Sequence, residues 1–248
     1  MTLSVIIISK NEAHDIEDCL RSVAFADEVI VVDSESTDDT CEIARQHTPH
    51  VHTVPWQGFG PQKNHALELA TGDWVLSLDC DERISERLQH SIVTAITHTS
   101  AVGFKLPFRT SYCGRFIRFG DWGHERKLRL FRRDAGRFDD AIVHENIIIT
   151  GTIDTLKGHV LHHSVRSREE LRTKGAQYAA LGAEAAFEAG RTATMFTAWA
   201  RGGYAFIRGY FLKGGMLDGW RGLDLASTLA RMTYRKYKLL AERCRQAR

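Results

Sequence analysis

Three short runs of mostly branched apolar residues constrain the fold of this chain more than any other feature. They are residues 3–9 (LSVIIIS), 28–33 (EVIVVD) and 74–78 (WVLSL). Because they are nearly continuous rather than alternating, each is predicted to be a strand buried on both faces of a sheet. Helical spacing at 11–24, 38–47, 62–70 and 85–97, with a short strand at 51–54, separates or follows them. This order predicts an α/β fold with a mostly parallel sheet and helices on both faces.

The second half of the chain has a different pattern. Strand-like segments at 101–109, 126–132 and 146–153 are separated by loops rich in Gly, Asp, Arg and His. From residue 168 the pattern is helical, at 169–188, about 193–212 and 224–243. We therefore predict a catalytic domain at residues 1–165 and a helical C-terminal extension at 166–248.

The C-terminal extension is basic and aromatic. From Arg201 to the end there are 11 Lys/Arg and 3 Asp/Glu residues, although the whole chain has a net charge of only +2. Aromatic residues alternate with these basic residues, as in Trp199, Tyr204, Phe211 and Trp220. Such a mixture predicts docking on an anionic membrane surface, and the alternative is a helical cap with a solvated basic face.

The cysteines and the hydropathy pattern indicate the compartment. Five cysteines are scattered through the chain without a Cys-x-x-Cys pair, which is typical of a reducing, cytoplasmic protein. The apolar run near the N-terminus is too short for a signal peptide, and no window holds eighteen uninterrupted apolar residues.

Polar clusters follow three of the predicted strands. They are residues 9–12 (SKNE), 33–36 (DSES) and 79–82 (DCDE). In open α/β sheets ligands bind outside the carboxyl ends of the strands, and parallel strands end at one edge. We therefore expect these clusters to lie together and to form a ligand site.

The third cluster places Asp79, Asp81 and Glu82 within four positions. Because like charges this close repel, a positive partner is expected. Asp79 and Asp81 are suited to a divalent cation, Mg²⁺ or Mn²⁺, which prefers oxygen ligands. The alternative is an acidic turn that caps the next helix, with Glu82 at the start of that helix.

The other two clusters and the loop before residue 64 suggest a nucleotide site. Asp33 can accept a hydrogen bond from a nucleobase N–H, and Glu12 can accept from ribose hydroxyls. Lys63, in a predicted flexible loop at 58–64 before a helix, can meet a diphosphate. Helix capping by 36–40 and an ordinary surface loop are the alternatives for these segments.

A second acidic segment, residues 139–145 (DDAIVHE), can supply a general base. Asp140, His144 and Glu145 are the candidates, and the sequence leaves the choice open. His159, His162 and His163 follow, and one of them can complete a metal site, although a lone histidine is more often a structural residue.

Together, SVIIISKNE, VIVVDSESTDDT, the loop before Asn64 and GDWVLSLDCDE resemble the family 2 glycosyltransferases of the GT-A fold. The matching segments cover about the first 85 residues, in order. The resemblance implies that Glu12 and Asp33 hold the nucleoside and that Asp79 and Asp81 hold ribose, diphosphate and metal. It further implies that Glu145 or Asp140 activates the acceptor hydroxyl and that His162 lies near the metal.

A narrower resemblance, to the lipopolysaccharide core β-1,4-glucosyltransferase group, rests on VHE at 143–145, LHHS at 161–164 and YFLKGGMLDGWRGL at 210–223. It implies a UDP-glucose donor, a lipid-linked anionic saccharide acceptor and a place on the inner face of the bacterial inner membrane. Lys63 stands where many relatives have arginine, and His144-Glu145 replaces the usual acidic pair. The Gln-x-x-Arg-Trp signature of processive synthases is absent, which favours one sugar per encounter.

Several alternatives remain open at this level. The enzyme can act on another cell-envelope glycan or on a polyprenyl phosphate. An aspartyl phosphatase with Asp79 as nucleophile and Asp81 as acid is a rival, although three strands precede the motif here. A nucleotidyltransferase lacks its glycine-rich basic loop, and a nucleic-acid-binding module leaves the acidic strand ends unexplained. We therefore expect no nucleic-acid partner.

Overall fold

The three apolar runs form adjacent strands at the centre of one sheet. The computed structural model describes residues 1–140 and 145–247. Strand β1 (Leu3–Ser9) lies between β2 (Glu28–Asp33) and β4 (Trp74–Asp79), and both pairings are parallel. A short strand, β3 (His50–Thr53), adds a parallel neighbour to β2. The predicted α/β fold with a mostly parallel centre is confirmed.

Antiparallel strands extend this sheet beyond β4. The other strands of the described residues are β5 (Glu82–Ile84), β6 (Gly103–Tyr112), β7 (Arg115–Phe116), β8 (Arg126–Arg132), β9 (Gly136–Phe138), β10 (Ile147–Ile149), β11 (Ile153–Thr155) and β12 (Val160–Val165). The strand order is β3-β2-β1-β4-β8-β6-β12-β5, and β7 and β11 pair with β6. β9 and β10 form a separate antiparallel pair.

Helices connect and flank the strands. They are α1 (Ile16–Ser22), α2 (Thr40–Arg45), α3 (Phe59–Leu69), α4 (Glu86–Thr97), α5 (Arg168–Glu188), α6 (Met195–Ile207) and α7 (Gly219–Gln246). A π-helical turn at Arg208–Leu212 and a 3-10 turn at Gly215–Asp218 lie between α6 and α7.

The alternation of side chains along β1 explains why its sequence is apolar throughout. Val5 and Ile7 pack into a core cluster with residues of α1 and α4. Ile6 and Ile8 point to the other face and pack with Ala66 of α3. Both faces of the strand are therefore covered, as the continuous apolar run predicts.

Some element boundaries differ from those predicted. α1 begins at Ile16 rather than residue 11, because Asn11 has a φ of 55° and interrupts the chain direction after β1. α3 begins at Phe59, so most of the predicted loop at 58–64 is the start of a helix, with Pro61 tolerated in its first turn. The predicted strand at 146–153 is two short strands, and β5, β7, β9 and β12 have no counterpart in the prediction.

The chain divides into two compact units. The first comprises Met1–Phe108 and Arg126–His162, and the second comprises Arg109–Glu125 and His163–Arg248. The second unit therefore includes, besides the C-terminal helices, a segment that lies within the domain predicted at residues 1–165.

Within the second unit, α5 and α6 each pack against α7. Tyr112, Leu171 and Leu225 belong to its core. The helix predicted at 193–212 ends at Ile207 and continues as the π-helical turn, and α7 begins five residues before its predicted start. None of the helices in the described part of the chain combines the length and the apolar character needed to cross a bilayer.

Candidate active site

The ends of β1, β2 and β4 bring the first polar side chains of the candidate site together. Ser9 is the register partner of Asp33, and Ile8 is the register partner of Asp79. Asp33 and Asp79 therefore flank the end of β1 on opposite sides. All the candidate site residues described below belong to the first unit, except His163.

Asp33 is fully buried and fixed by hydrogen bonds. Its carboxylate accepts from the Ser9 hydroxyl at 2.8 Å, and from the Ser36 backbone N–H at 2.7 Å and hydroxyl at 2.5 Å. Burial by itself raises the pKa of Asp33, but these hydrogen bonds outweigh it and hold the pKa below its ordinary value. Asp33 is thus a preorganised anion that also closes the turn after β2.

Glu12 lies in the turn that follows β1 and is half-buried. Its backbone N–H donates to the Thr40 hydroxyl at 2.8 Å, and the neighbouring Asn11 side chain accepts from the Thr37 N–H at 2.8 Å. These bonds fasten the turn after β1 to the turn after β2. The two segments that the resemblance assigns to the nucleoside are therefore adjacent.

Asp79, at the end of β4, is held between two cations. Its Oδ1 accepts from Lys63 Nζ at 2.8 Å and its Oδ2 accepts from Arg129 Nη2 at 2.7 Å. Burial alone raises the pKa of Asp79, but the charges of Arg129 and Lys63 outweigh it and hold the pKa well below the ordinary value. The positive partner that the acidic cluster requires is therefore present in the chain itself.

Glu82 shares Arg129 with Asp79. Its side chain is fully buried in β5, where Oε1 accepts from Arg129 Nη2 at 2.9 Å and Oε2 accepts from the Asp79 N–H at 3.0 Å. The alternative in which Glu82 begins the next helix is excluded, since Glu82 lies in β5 and α4 starts at Glu86. Burial raises the pKa of Glu82 in spite of the opposing charge of Arg129.

Lys63 joins Asp79 to the second acidic segment. Its side chain is only 2% exposed, and Nζ donates to Glu145 Oε1 at 2.5 Å as well as to Asp79. Glu145 is itself 13% exposed. Because α3 begins at Phe59, Lys63 points inward from a helix and not from a flexible loop. These two bonds use two of the three N–H donors of the Lys63 ammonium.

The other candidates for the base lie elsewhere. Asp140 is exposed, whereas Asp139 accepts from the Asn146 backbone N–H and side chain at 3.1 Å each. His144 lies outside the described residues. Among the described candidates, Glu145 is the one that the structure joins to Asp79.

Asp81 and His162 form a second contact beside this cluster. His162 Nε2 lies 3.2 Å from Asp81 Oδ2, and the His162 ring packs edge-on against Phe108. Burial lowers the pKa of His162, but the hydrogen bond to Asp81 outweighs it and raises the pKa above its ordinary value. His163, the next residue, lies in the second unit with its ring against Phe116.

These residues provide ligand atoms for a divalent cation. Single ligand atoms of Asp81, Glu82 and His162 lie within 4.8 Å of one another. Two carboxylates and an imidazole suit Mn²⁺ better than Mg²⁺, which prefers oxygen alone. Both Glu82 oxygens already accept hydrogen bonds, and both Asp79 oxygens meet cations. Asp81 and His162 therefore fit the ion best.

Comparison with known proteins identifies the family. The family model described as "Glycosyl transferase family 2" matches residues 4–154. This range includes Asp33, Asp79 and Glu145 but not His162. The chain belongs to glycosyl transferase family 2. It is therefore a glycosyltransferase, and the expectation from the sequence is confirmed.

Two relatives of this glycosyltransferase align over most of its length. A protein of Rickettsia bellii (strain RML369-C), described as an uncharacterized glycosyltransferase, is 33% identical over 88% of this chain and 80% of the relative. The lipopolysaccharide core biosynthesis glycosyltransferase LpsC of Rhizobium meliloti (strain 1021) is 27% identical over 97% of this chain and 95% of the relative.

A solved structure has the same fold. Residues 1–349 of S. aureus TarS, crystallised with UDP, superpose with a TM-score of 0.50 at 19% identity, covering all of this chain and 92% of the TarS chain. This glycosyltransferase therefore has the GT-A architecture expected from its sequence.

The family membership also removes the phosphatase alternative. In this glycosyltransferase Asp79 ends the fourth strand of the chain and is bonded to Lys63 and Arg129. An aspartyl nucleophile normally follows the first strand of its domain, so the position of Asp79 does not fit that class.

Sequence reasoning missed Arg129 entirely. Its side chain, in β8, is 8% exposed. Its guanidinium pairs with both Asp79 and Glu82, which lie 50 and 47 residues earlier in the sequence. The one indication in the sequence is a charged residue within an otherwise apolar stretch, LRLF at 128–131. Charged residues are rarely fully buried unless they are paired, so this arginine implied a buried partner.

Proposed function

We propose that this glycosyltransferase transfers one sugar, with inversion at the anomeric carbon, from a nucleotide sugar to a lipid-linked saccharide of the bacterial cell envelope. The observation that carries the proposal is the cluster of Lys63, Asp79, Arg129 and Glu145 beside the strand ends. It combines buried cations that hold the strand-end acids with a carboxylate, Glu145, that can act as a base. Neighbouring turns carry Glu12 and Asp33 for the nucleoside.

UDP-glucose is the proposed donor. The narrower resemblance to lipopolysaccharide core glucosyltransferases supports glucose, and the UDP complex of TarS makes UDP the first nucleotide to test. Asp33 accepts from Ser9 and Ser36 through three hydrogen bonds and also has a hydrogen bond with the Cys41 side chain, and it is the partner proposed for a nucleobase N–H. Glu12, on the adjoining turn, is the partner proposed for the ribose.

A lipid-linked anionic saccharide of the lipopolysaccharide inner core is the proposed acceptor. The description of LpsC, which aligns over nearly the whole chain, supports this choice. The enzyme then works at the inner face of the bacterial inner membrane, with residues 1–165 as catalytic domain and 166–248 as the membrane-docking extension. Another cell-envelope glycan or a polyprenyl phosphate is the second candidate acceptor, because the same site chemistry serves any sugar or phosphate hydroxyl.

Lys63 and Glu145 are proposed to change partners when the donor binds. In the free protein Lys63 neutralises Glu145 at 2.5 Å. The two negative charges of a donor diphosphate attract Lys63, and Glu145 then exchanges its contact with Lys63 for one with the acceptor hydroxyl. Asp79 keeps its contact with Arg129 throughout, so the edge of the site stays in place.

The transfer step then follows from these positions. The acceptor oxygen forms a bond with the anomeric carbon as Glu145 takes its proton. On the opposite side the bond from the anomeric carbon to the diphosphate oxygen breaks, and its electron pair leaves with the nucleoside diphosphate. Asp140 and His144 are the alternative bases.

Asp81 and His162 are proposed to hold a divalent cation, with Mn²⁺ favoured by the imidazole. When bound, the ion supplies positive charge that stabilises the departing diphosphate. Asp81 and His162 contact each other at 3.2 Å in its absence, so binding requires His162 to give up a proton. Asp79 contributes indirectly, because its oxygens stay paired with Lys63 and Arg129.

A thermal-shift panel tests donor and metal together. The protein is heated with UDP-glucose, other nucleotide hexoses and a nucleotide heptose, with and without Mn²⁺. A ligand present at one hundred times its Kd adds about 2.7 kcal/mol to the stability. We expect UDP-glucose with Mn²⁺ to give the largest increase in Tm, and we expect Asp81→Asn to remove the Mn²⁺-dependent part.

Asp134→Asn is the matched control, since the Asp134 side chain is 73% exposed and pairs with Arg132. If no nucleotide sugar raises the Tm, the proposed donor class is wrong. If Asp81→Asn keeps the full Mn²⁺ increment, the metal assignment is wrong and the rest of the mechanism stands.

A further inference from the structure

Helix α6 in the second unit buries small side chains and exposes large apolar ones, which is the reverse of the usual pattern for a helix in water. It buries Ala198, Gly202 and Ala205. A surface helix normally turns its large apolar residues toward the core and its polar residues toward solvent. Small residues at a helix interface with large ones outside are instead typical of helices in contact with lipid.

The large apolar residues of this region are exposed. We call the following set the apolar face: Phe196 (80% exposed), Trp199 (67%), Ile207 (50%), Phe211 (54%), Leu212 (69%) and Leu217 (63%). It runs along α6 and through the two turns before α7. Single exposed apolar residues are ordinary, but a contiguous set of this size marks a contact surface.

A groove in the same unit adds to this surface. It has a volume of about 1040 Å³ and lies between α6 and α7, with Trp199, Phe206 and Ile207 on one wall and Leu223 and Tyr234 on the other. Its lining is mostly apolar but also includes Arg168, Asp224, Ser227 and Arg231. A groove of this kind can take an acyl chain.

The two turns that carry part of the apolar face are held firmly by their polar side. A Cβ on Gly215 meets the Gly209 carbonyl oxygen at 2.6 Å, and a Cβ on Gly222 meets the Gly215 carbonyl oxygen at 1.8 Å, so only glycine permits these close backbone approaches. Asp121 pairs with Arg208 and Lys213 at 2.9 and 2.8 Å. The apolar side chains are therefore presented by a fixed backbone.

Charge decides between the possible occupants of this surface. Residues 191–217 contain four basic residues and no acidic residue, and Asp121 pairs with two of the four, Arg208 and Lys213. Arg201 and Arg231 are exposed, and Arg168 and Arg221 each lie 4.5 Å from the Trp220 ring. A second copy of the chain on the same face would bring like charges together, whereas anionic lipid headgroups complement them.

We propose that the apolar face and the groove dock this glycosyltransferase on a bilayer rich in anionic phospholipid, with α6 lying in the plane of the interface. The apolar side chains enter the boundary between headgroups and acyl chains, and the surrounding arginines contact phosphates. The proposal rests on the proposed lipid-linked acceptor for its purpose, but the contact needs neither donor nor acceptor and is measured without them.

Vesicle flotation with the full chain tests the proposal. The probes are vesicles of phosphatidylcholine alone and of phosphatidylcholine with phosphatidylglycerol, at low and high salt. We expect the protein to bind the anionic vesicles, and we expect this binding to weaken as the salt concentration rises. Binding to the neutral vesicles should be weaker than binding to the anionic ones. The double variant F196S/L212S should lose about tenfold or more in affinity, because it removes two exposed apolar side chains from the interface.

Leu181→Ser on α5 is the matched control, since Leu181 is 61% exposed but is not part of the apolar face. It should bind as the unaltered protein does. Equal binding by the double variant and the control would overturn the proposal. A second result would also overturn it: the unaltered protein binds neither kind of vesicle and is a dimer in size-exclusion chromatography, whereas F196S/L212S is a monomer. A second copy of the chain would then cover the apolar face.

Transfer to a water-soluble saccharide fragment separates this test from the proposed function. If the double variant keeps that activity and loses vesicle binding, both proposals hold. If vesicle binding is absent in the unaltered protein while transfer proceeds, only the docking proposal fails.

Discussion

The two units depart from the usual distribution of side chains in opposite ways. The first unit buries charges, because Lys63, Arg129 and Glu82 are each less than a tenth exposed. The second unit exposes aromatic and aliphatic residues, because α6 packs through alanine and glycine. Buried charges require partners, whereas exposed apolar residues are tolerated singly and indicate a contact surface only as a large patch.

This difference separates two kinds of information in the structure. In the first unit every member of the cluster has a visible counter-charge, so the fold by itself accounts for the arrangement. In the second unit the fold accounts for the buried glycines but not for the residues they displace to the surface. The first unit therefore holds its cluster of charged side chains in fixed positions, and the second exposes large apolar side chains on α6 and the turns that follow it.

The largest expected effect on stability comes from removing Arg129. Arg129→Ala leaves the fully buried Glu82 without its cation and Asp79 with Lys63 alone, and we expect the free energy of unfolding to fall by about 3–5 kcal/mol. Urea unfolding followed by circular dichroism measures the loss.

Arg132→Ala on the same strand is the control, because the Arg132 side chain is 37% exposed and pairs with an exposed Asp134. Its cost should stay under about 1 kcal/mol. Equal costs for the two substitutions would mean that the buried charges of the first unit do not differ from surface charges.

The next effect tests the small-residue interface of the second unit. At Gly202 a Cβ meets the Cβ of Tyr234 at 2.9 Å, whereas at Gly203 no atom lies within 4 Å. We expect Gly202→Ala to destabilise the protein by about 1–3 kcal/mol through overpacking. Gly203→Ala should be neutral or stabilising by up to about 1 kcal/mol, because alanine favours the helix.

Thermal unfolding of both variants measures this contrast, in which each substitution adds one methyl group to adjacent positions of one helix. A Gly202→Ala variant as stable as Gly203→Ala would show that α6 does not depend on close packing against α7.

A smaller effect is expected at Asp121 and depends on pH. Burial raises the pKa of Asp121, but the bonds from Lys213 and Arg208 outweigh it and place the folded pKa below the ordinary value of 3.8. A carboxyl with a lowered pKa stabilises the fold above that ordinary value, and the contribution is lost as the pH falls through the folded pKa. Asp121→Asn should therefore cost about 1 kcal/mol at pH 7, allowing for the partly exposed partners.

Stability measured at several pH values checks the sign. The gap between Asp121→Asn and the unaltered protein should close below pH 3.8. A gap that stays constant down to pH 2.5 would show that the charge of Asp121 does not hold the turns in place.

The sequence predicts the centre of the fold well and its periphery less well, for a physical reason. β1, β2 and β4 are buried on both faces, so their apolar runs are unmistakable. β5 and β12 carry Glu82 and His162, whose polarity is compensated by partners distant in sequence. A strand pattern based on neighbouring residues has no access to such compensation.

The candidate site divides in the same way. Asp33 and Asp79 follow from strand ends, because parallel strands must end at one edge. The ion pairs of Lys63 with Glu145 and of Arg129 with Asp79 join residues 82 and 50 positions apart. Local pattern therefore predicts a deficit of positive charge near Asp79, and only the tertiary fold shows that lysine and arginine fill it.

The central claim is that Glu145, one of the two carboxylates bonded to Lys63, is the base of the sugar-transfer reaction. The most direct measurement is the initial rate of transfer, with the nucleotide sugar that most stabilises the protein, for Glu145→Gln and for Asp140→Asn. We predict that Glu145→Gln lowers kcat by about a hundredfold or more, while Asp140→Asn, at an exposed position, changes it by only a few fold. A Glu145→Gln enzyme that keeps most of its rate, or a larger loss in Asp140→Asn, would contradict the account.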